Sequence, residues 1–296
     1  MNVWINTAMK TKSLIWMSAL TMVSGIAIAQ DAFQLSRLFE VGKTDRYTVT
    51  NKTISTVDMS AMGAGEQETV IESSFNAAYT IASVKEKVAN IDISYTDFKL
   101  AVKGEMAAQM GLSEDMFPKE AKASGKMDAT GALSDYKLLD AKLKSSLTMM
   151  GGETALESFN WVRLPAGELK EGTEFKLPVP KMPSFTGDKN TFDGKVIKVM
   201  DFDGKPAVQV VYGGTLPMEM DLSEMMKDNP NASEMPPMNM TMSGNVKMSF
   251  TVVFEKSTGK VLKLESFSSG TQKINLVDMG MSIPLSTEMS TIIIAK

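Results

Sequence analysis

The chain has 296 residues, a net charge of −4, no Cys and no His. Those absences exclude thiolate nucleophiles, disulfides, cysteine and histidine metal sites and any Ser-His-Asp triad. The acidic balance, with charges of both signs interspersed, argues against nucleic acid as a partner.

Met1–Ala29 reads as a secretory signal peptide. Lys10 and Lys12 supply a positive start, Leu14–Ile28 an apolar run, and Ala27-Ile28-Ala29 a small-x-small cleavage pattern. Its removal takes the net charge from −4 to −6. The apolar run is short for a bilayer crossing, and no later segment is long enough. The sequence therefore predicts a periplasmic or secreted protein that is not integral to the membrane after cleavage.

Residues 30–296 read as a single β-rich domain, a length that suits one large core. Asp31–Val41 (DAFQLSRLFEV) suits a short helix. The period then changes to two. Tyr47–Val57, Thr69–Val84 and Val88–Val102 are rich in β-branched residues and alternate, and Ile91, Ile93 and Tyr95 share one face. Gly104–Phe117 suits a short helix or a loop before Pro118. Lys126–Lys137 suggests two short strands around Asp128–Gly131. Leu139, Leu143, Leu147 and Met150 fall at helical spacing, so a helix is predicted over Leu138–Met150, with a second short one over Ala155–Leu164.

The last third returns to strands: Lys195–Met200, Ala207–Tyr212, Val246–Phe254, Val261–Phe267, Gln272–Val277 and Met289–Ala295. Asp193-Gly194, Asp203-Gly204 and Thr258-Gly259 lie between apolar runs as hairpin loops do. Pro178, Pro180 and Pro183 mark a loop or a sheet edge. The regions 44–137 and 165–296 share this layout, compatible with diverged halves, but no fixed period links them. The fold class predicted is mainly β: long, curved antiparallel strands in a half-barrel or open barrel, with one or two helices packed on it.

The unusual feature is methionine, 26 in all, nine of them between Met218 and Met248. Thioether sulfur suits Cu(I) or Ag(I), which makes Met235, Met238, Met240 and Met242 candidate metal ligands. Flexible, polarisable Met also lines adaptable apolar surfaces, which makes Met218, Met220, Met225 and Met226 candidate ligand-binding residues. The plain alternative is that these side chains fill a core face. Asp201-Phe-Asp203-Gly204 resembles the start of a calcium loop but lacks its later acids, so a turn is expected. Asn51, Asn231 and Asn239 open glycosylation tripeptides, without consequence in a chain with this signal. Trp161, alone after the signal, is expected to anchor the core. No catalytic or cofactor motif is present, and a non-enzymatic protein is expected.

The run from Arg46-Tyr47 into long strands, Leu164-Pro165 followed by Gly172-Thr-Glu-Phe175, and the Phe254–Leu262 hairpin give the chain a resemblance to a family of exported β-rich bacterial proteins with a domain of unknown function. In architecture it also resembles the half-barrel carriers of the LolA, LolB and LppX types. That resemblance implies a curved antiparallel sheet with helices on its concave side, an apolar cavity that holds acyl chains, and no catalysis. The chain departs from the anchored members in having no Cys for a lipid anchor. Its three arginines, Arg37, Arg46 and Arg163, match no carrier position, and no functional residue is carried over. An apolar small molecule, a lipid or another envelope component is the expected partner.

Overall fold

In the computed structural model, the described residues are 32–60, 63–104, 114–144, 161–180, 185, 191–222 and 239–296. The signal peptide lies outside them. Among the described residues, eleven strands form one antiparallel sheet. The first meander is β1 (Thr44–Asp58), β2 (Glu66–Lys85), β3 (Val88–Gly104), β4 (Glu120–Met127) and β5 (Leu133–Leu138). The second is β6 (Glu174–Pro178), β7 (Thr191–Phe202), β8 (Lys205–Asp221), β9 (Met240–Glu255), β10 (Val261–Leu276) and β11 (Met281–Ala295). The order across the sheet is β5-β4-β3-β2-β1-β11-β10-β9-β8-β7-β6, so the meanders join through β1 and β11. The edge strands β5 and β6 do not pair, and the sheet is an open half-barrel rather than a closed one.

Alternation decides which face is buried. On β1 the inward positions begin Tyr47, Val49; on β3 they are Ala89, Ile91, Ile93 and Tyr95; on β9 they end Phe250, Val252, Phe254. All belong to one core. The chain must also travel from β5 at one edge to β6 at the other. Leu143, Trp161, Val162, Leu164 and Leu169, from the described parts of that connection, pack into the same core. They cover the inner face at one end of the strands. Tyr212 donates its hydroxyl to the Trp161 carbonyl (2.9 Å). The Tyr212 ring stacks on Phe250, centroids 4.9 Å apart, and the Trp161 ring also lies nearly parallel to Phe250, 6.1 Å away.

Several expectations change. The segment predicted as a helix over Asp31–Val41 is extended where it is described. Phe33 exchanges backbone bonds of 2.9 and 2.8 Å with Leu169, and Phe33 and Leu35 are buried. Two-residue alternation wins because the segment lies across the end of the sheet: the Arg37 and Leu38 amides donate to the carbonyls of Ala129 and Thr258. The predicted helix over Leu138–Met150 is helical at residues 141–144, where Leu143 is fully buried; residues 145–150 are outside the described set. The second predicted helix ends in non-helical chain over 162–164. Of Gly104–Phe117, Glu114–Met116 forms a single 3₁₀ turn.

Asp193-Gly194 is not a turn but lies inside β7. Gly194 faces Phe175 of β6, and a Cβ there would come within 2.2 Å of the Phe175 ring. The glycine makes room for an aromatic ring rather than a bend. Asp203-Gly204 is the expected turn: both residues have positive φ (52° and 77°), and the Gly204 amide donates to Asp201 Oδ1 (2.8 Å). That geometry matches the twist of a two-residue hairpin. The runs Val261–Phe267 and Gln272–Val277 belong to one continuous strand, β10, as far as Leu276.

A buried ion cluster pins the amino-terminal segment to the sheet. Arg37 bonds to Asp45 at the start of β1, and Lys260, in the β9–β10 turn, approaches the other Asp45 oxygen at 2.8 Å. The side chains of Arg37 and Asp45 are 11% and 7% exposed. Burial alone would raise the Asp45 carboxyl, but the Arg37 guanidinium and the Lys260 ammonium hold it below its ordinary 3.8. A carboxylate depressed in this way contributes its stability in full above 3.8 and loses it as the pH falls further. Asp45→Asn leaves two cations facing no anion and is expected to cost about 3 kcal/mol at neutral pH. The variant should also lose less stability than the parent on going from neutral pH to below about pH 4. Urea unfolding at both conditions checks the size and the sign.

Candidate functional site

The connection between the sheet edges covers the inner face at the end where Asp45 lies. Toward the other end of the strands the same face opens into a cleft of about 370 Å³. Trp161 is the wall between the two regions: it lines the cleft, and its ring meets Phe185 edge-on, centroids 5.6 Å apart.

The inner positions of four long strands and of β1 form the cleft. On β8 these are Met218 and Met220; on β9, Met242, Val246 and Met248. Met220 stands opposite Met242 in register, and Met218 opposite Gly244. These side chains make one apolar wall, half-buried except for Met248, which is buried. The centre of the sheet supplies a mixed surface: Thr53 and Ser55 of β1, Thr287 and Thr291 of β11, and Ser266, Ser268 and Gln272 of β10, with Met289 and Leu285 of β11 and Phe267 of β10 among them. Among the described residues, no charged side chain lines the cleft.

Two buried amides stand out on the inner face of the central strands, Gln272 in the cleft lining and Asn51 outside it. Asn51, 4% exposed, pairs in register with Thr291, and neither Oδ1 nor Nδ2 has a hydrogen-bond partner. Gln272, 5% exposed, lines the cleft with its Oε1 unpartnered. Two glycines clear the space for Gln272. A Cβ on Gly270 would come within 2.5 Å of Gln272 Nε2, and one on Gly244 within 3.1 Å of its Cγ. Native proteins pair nearly all buried polar atoms, so such orphans call for an explanation.

Of the candidates named from sequence, Met218, Met220 and Met242 line the cleft. Met240 lies on β9 one inward step from Met242, opposite Leu276. Met225, Met226, Met235 and Met238 lie outside the described residues. Trp161 anchors the core as expected, 8% exposed. The sequence reading missed Asn51, Gln272, Gly244 and Gly270. A signal for Asn51 was present: it takes the inward position after Tyr47 and Val49, where the pattern asks for an apolar residue.

No protein-family model and no curated protein matches the chain. Among the solved structures similar to this chain are two of different kinds. A lipovitellin structure concerned with lipid–protein interactions matches 88% of this chain at 12% identity and a TM-score of 0.47. This chain spans 25% of the lipovitellin chain. An outer-membrane channel from Pseudomonas putida F1 matches 88% of this chain and 97% of its own length, at 8% identity and a TM-score of 0.24. Among the described residues no helix is long and apolar enough to cross a membrane.

The wall and the lining differ in what they tolerate. Tyr212→Phe leaves the buried Trp161 carbonyl without its donor and is expected to cost about 1–3 kcal/mol. Met218→Leu, a volume-conserving change at a half-buried position, is expected to cost less than about 1.5 kcal/mol. Thermal unfolding of both variants reads the contrast.

Proposed function

We propose that this chain is a non-enzymatic, exported protein that holds an apolar small molecule or lipid in the open part of its half-barrel. The observation that carries the proposal is the cleft: Met218, Met220, Met242, Val246 and Leu285 line it, and none of the described lining residues is charged. A pocket of this size and character suits a small apolar ligand, and methionine adapts to chains of varied shape. Export rests on the amino-terminal signal, and a periplasmic or secreted location follows from it. The absence of Cys and His supports a binding role over catalysis.

Native mass spectrometry of the mature protein, purified from the periplasm without detergent, tests the reading. An added mass of lipid size supports it. So does saturable uptake of the fluorescent apolar probe N-phenyl-1-naphthylamine, with Met242→Glu lowering the affinity at least about tenfold by placing a charge on the apolar wall. A protein that comes off bare and takes up no probe overturns it. A copper-sized increment, lost when Met240 and Met242 are both changed to Leu, would favour thioether ligation instead.

A further inference from the structure

We propose that the cleft is a reversible oxidation site that controls its own occupancy. Oxidants of the peroxide class convert Met218, Met220, Met242 and Met289 to sulfoxides, the apolar ligand leaves, and reduction restores binding. This rests on the apolar-ligand reading of the same cleft. The observation behind it is where methionine lies along each strand. On β8 the inward residues of the core are Val208 and Val210, and those of the cleft include Met218 and Met220. On β9 the core holds Val252, and the cleft holds Met242 and Met248. On β11 the core holds Ile293, and the cleft holds Met289. Among the described residues the buried core contains one methionine, Met248, and that residue also lines the cleft. Leucine would fill nearly the same volume. What methionine adds is a mobile chain and a sulfur that oxidises.

With no Cys in the chain, thioethers are its only sulfur and the groups a peroxide attacks first. Met218, Met220, Met242 and Met289 are half-buried rather than sealed, so a small oxidant reaches them through the cleft. The step is an oxygen transfer. The thioether sulfur attacks one peroxide oxygen, the O–O bond breaks as the S–O bond forms, sulfur loses two electrons, and hydrogen peroxide leaves as water. The product is a polar, chiral side chain in place of an apolar one. Met220 and Met242 face each other in register, and β8 and β9 supply no hydrogen-bond donor side chain to the lining. A sulfoxide oxygen there must keep water beside it, and hydrocarbon against it costs free energy. The same four side chains lie under a bound ligand, so occupancy shields them in turn.

The experiment treats the mature protein with hydrogen peroxide and follows each methionine by peptide mass spectrometry. Affinity for N-phenyl-1-naphthylamine is measured before and after. In the parent it is expected to fall at least about tenfold as the four cleft methionines gain oxygen. Methionine sulfoxide reductases A and B together, one for each epimer, should restore it. With all four changed to Leu, the variant is compared only with itself, and peroxide should leave its affinity where it was. Saturating probe should slow oxidation of Met220 and Met242 in the parent but not that of Met279, which is 60% exposed in the β10–β11 turn. That measurement needs no variant and decides the matter if the Leu variant fails to fold. Unchanged parent affinity with the four oxidised, an equal loss in the Leu variant, a loss the reductases do not reverse, or protection that treats Met220 and Met279 alike overturns the proposal and leaves the apolar-ligand reading standing. No probe uptake by the untreated parent overturns both.

Discussion

The pairing of β1 with β11 is the constraint on which the rest of the structure depends. It runs in register over eleven residue pairs, from Tyr47↔Ala295 to Val57↔Leu285. Because both terminal strands sit mid-sheet, the free edges belong to β5 and β6, which follow one another in sequence. The chain between them has to cross from edge to edge. That crossing brings Leu143, Trp161, Val162, Leu164 and Leu169 into the core. A plain meander from edge to edge would have left the same face bare. The pairing also joins residues far apart in sequence, while every other strand neighbour is next in sequence. Loop-closure entropy then favours assembly of two local meanders first and their union last.

The β class and most strands were legible because the inner positions of β1, β2, β3 and β9 are apolar and their neighbours polar, a period of two that needs no partner to be seen. What depends on partners was not legible. Phe33, Leu35, Leu38 and Phe39 fit a helical stripe as well as a strand, and only the bridge to Leu169 decides between them. Gly194 looks like a turn until Phe175 is placed over it. The Ser268–Gly270 stretch reads as a break in sequence, yet it carries β10 past Gln272. The site divides in the same way. A shared face for Met218 and Met220, and for Met240 and Met242, follows from spacing within one strand. That Met220 and Met242 stand opposite each other, beside a strand carrying Gln272, follows from register, which periodicity does not encode.

Favourable contacts and unmet polar groups stand side by side in this sheet. The covered end holds the stacked Tyr212 and Phe250, the Trp161 wall and the ion cluster of Arg37, Asp45 and Lys260. Among the described residues, three polar atoms on the inner face of the central strands make no hydrogen bond: two on Asn51, in the same row as Phe250 and Tyr212, and one on Gln272 in the cleft. At about 1–3 kcal/mol each, such atoms are a large charge against a net stability of about 5–15 kcal/mol. With no Cys in the chain, no disulfide offsets them, so the ladders and the packed aromatic end must.

Strand length is what lets one sheet do both. β8, β9, β10 and β11 are 17, 16, 16 and 15 residues long. At about 3.3 Å per residue each runs roughly 50 Å, more than twice the span of an ordinary strand. A strand of five or six residues lies wholly within one packing layer, and its inward positions must all serve the core. Here a single strand has inward positions enough for two environments: Phe250, Val252 and Phe254 of β9 serve the core, while Met242 and Val246 of the same strand face the cleft. Continuous backbone pairing through both regions holds the cleft in register with the packed end. The lining therefore needs no packing of its own to keep its shape, and its residues are under less constraint from the core than those of the packed end.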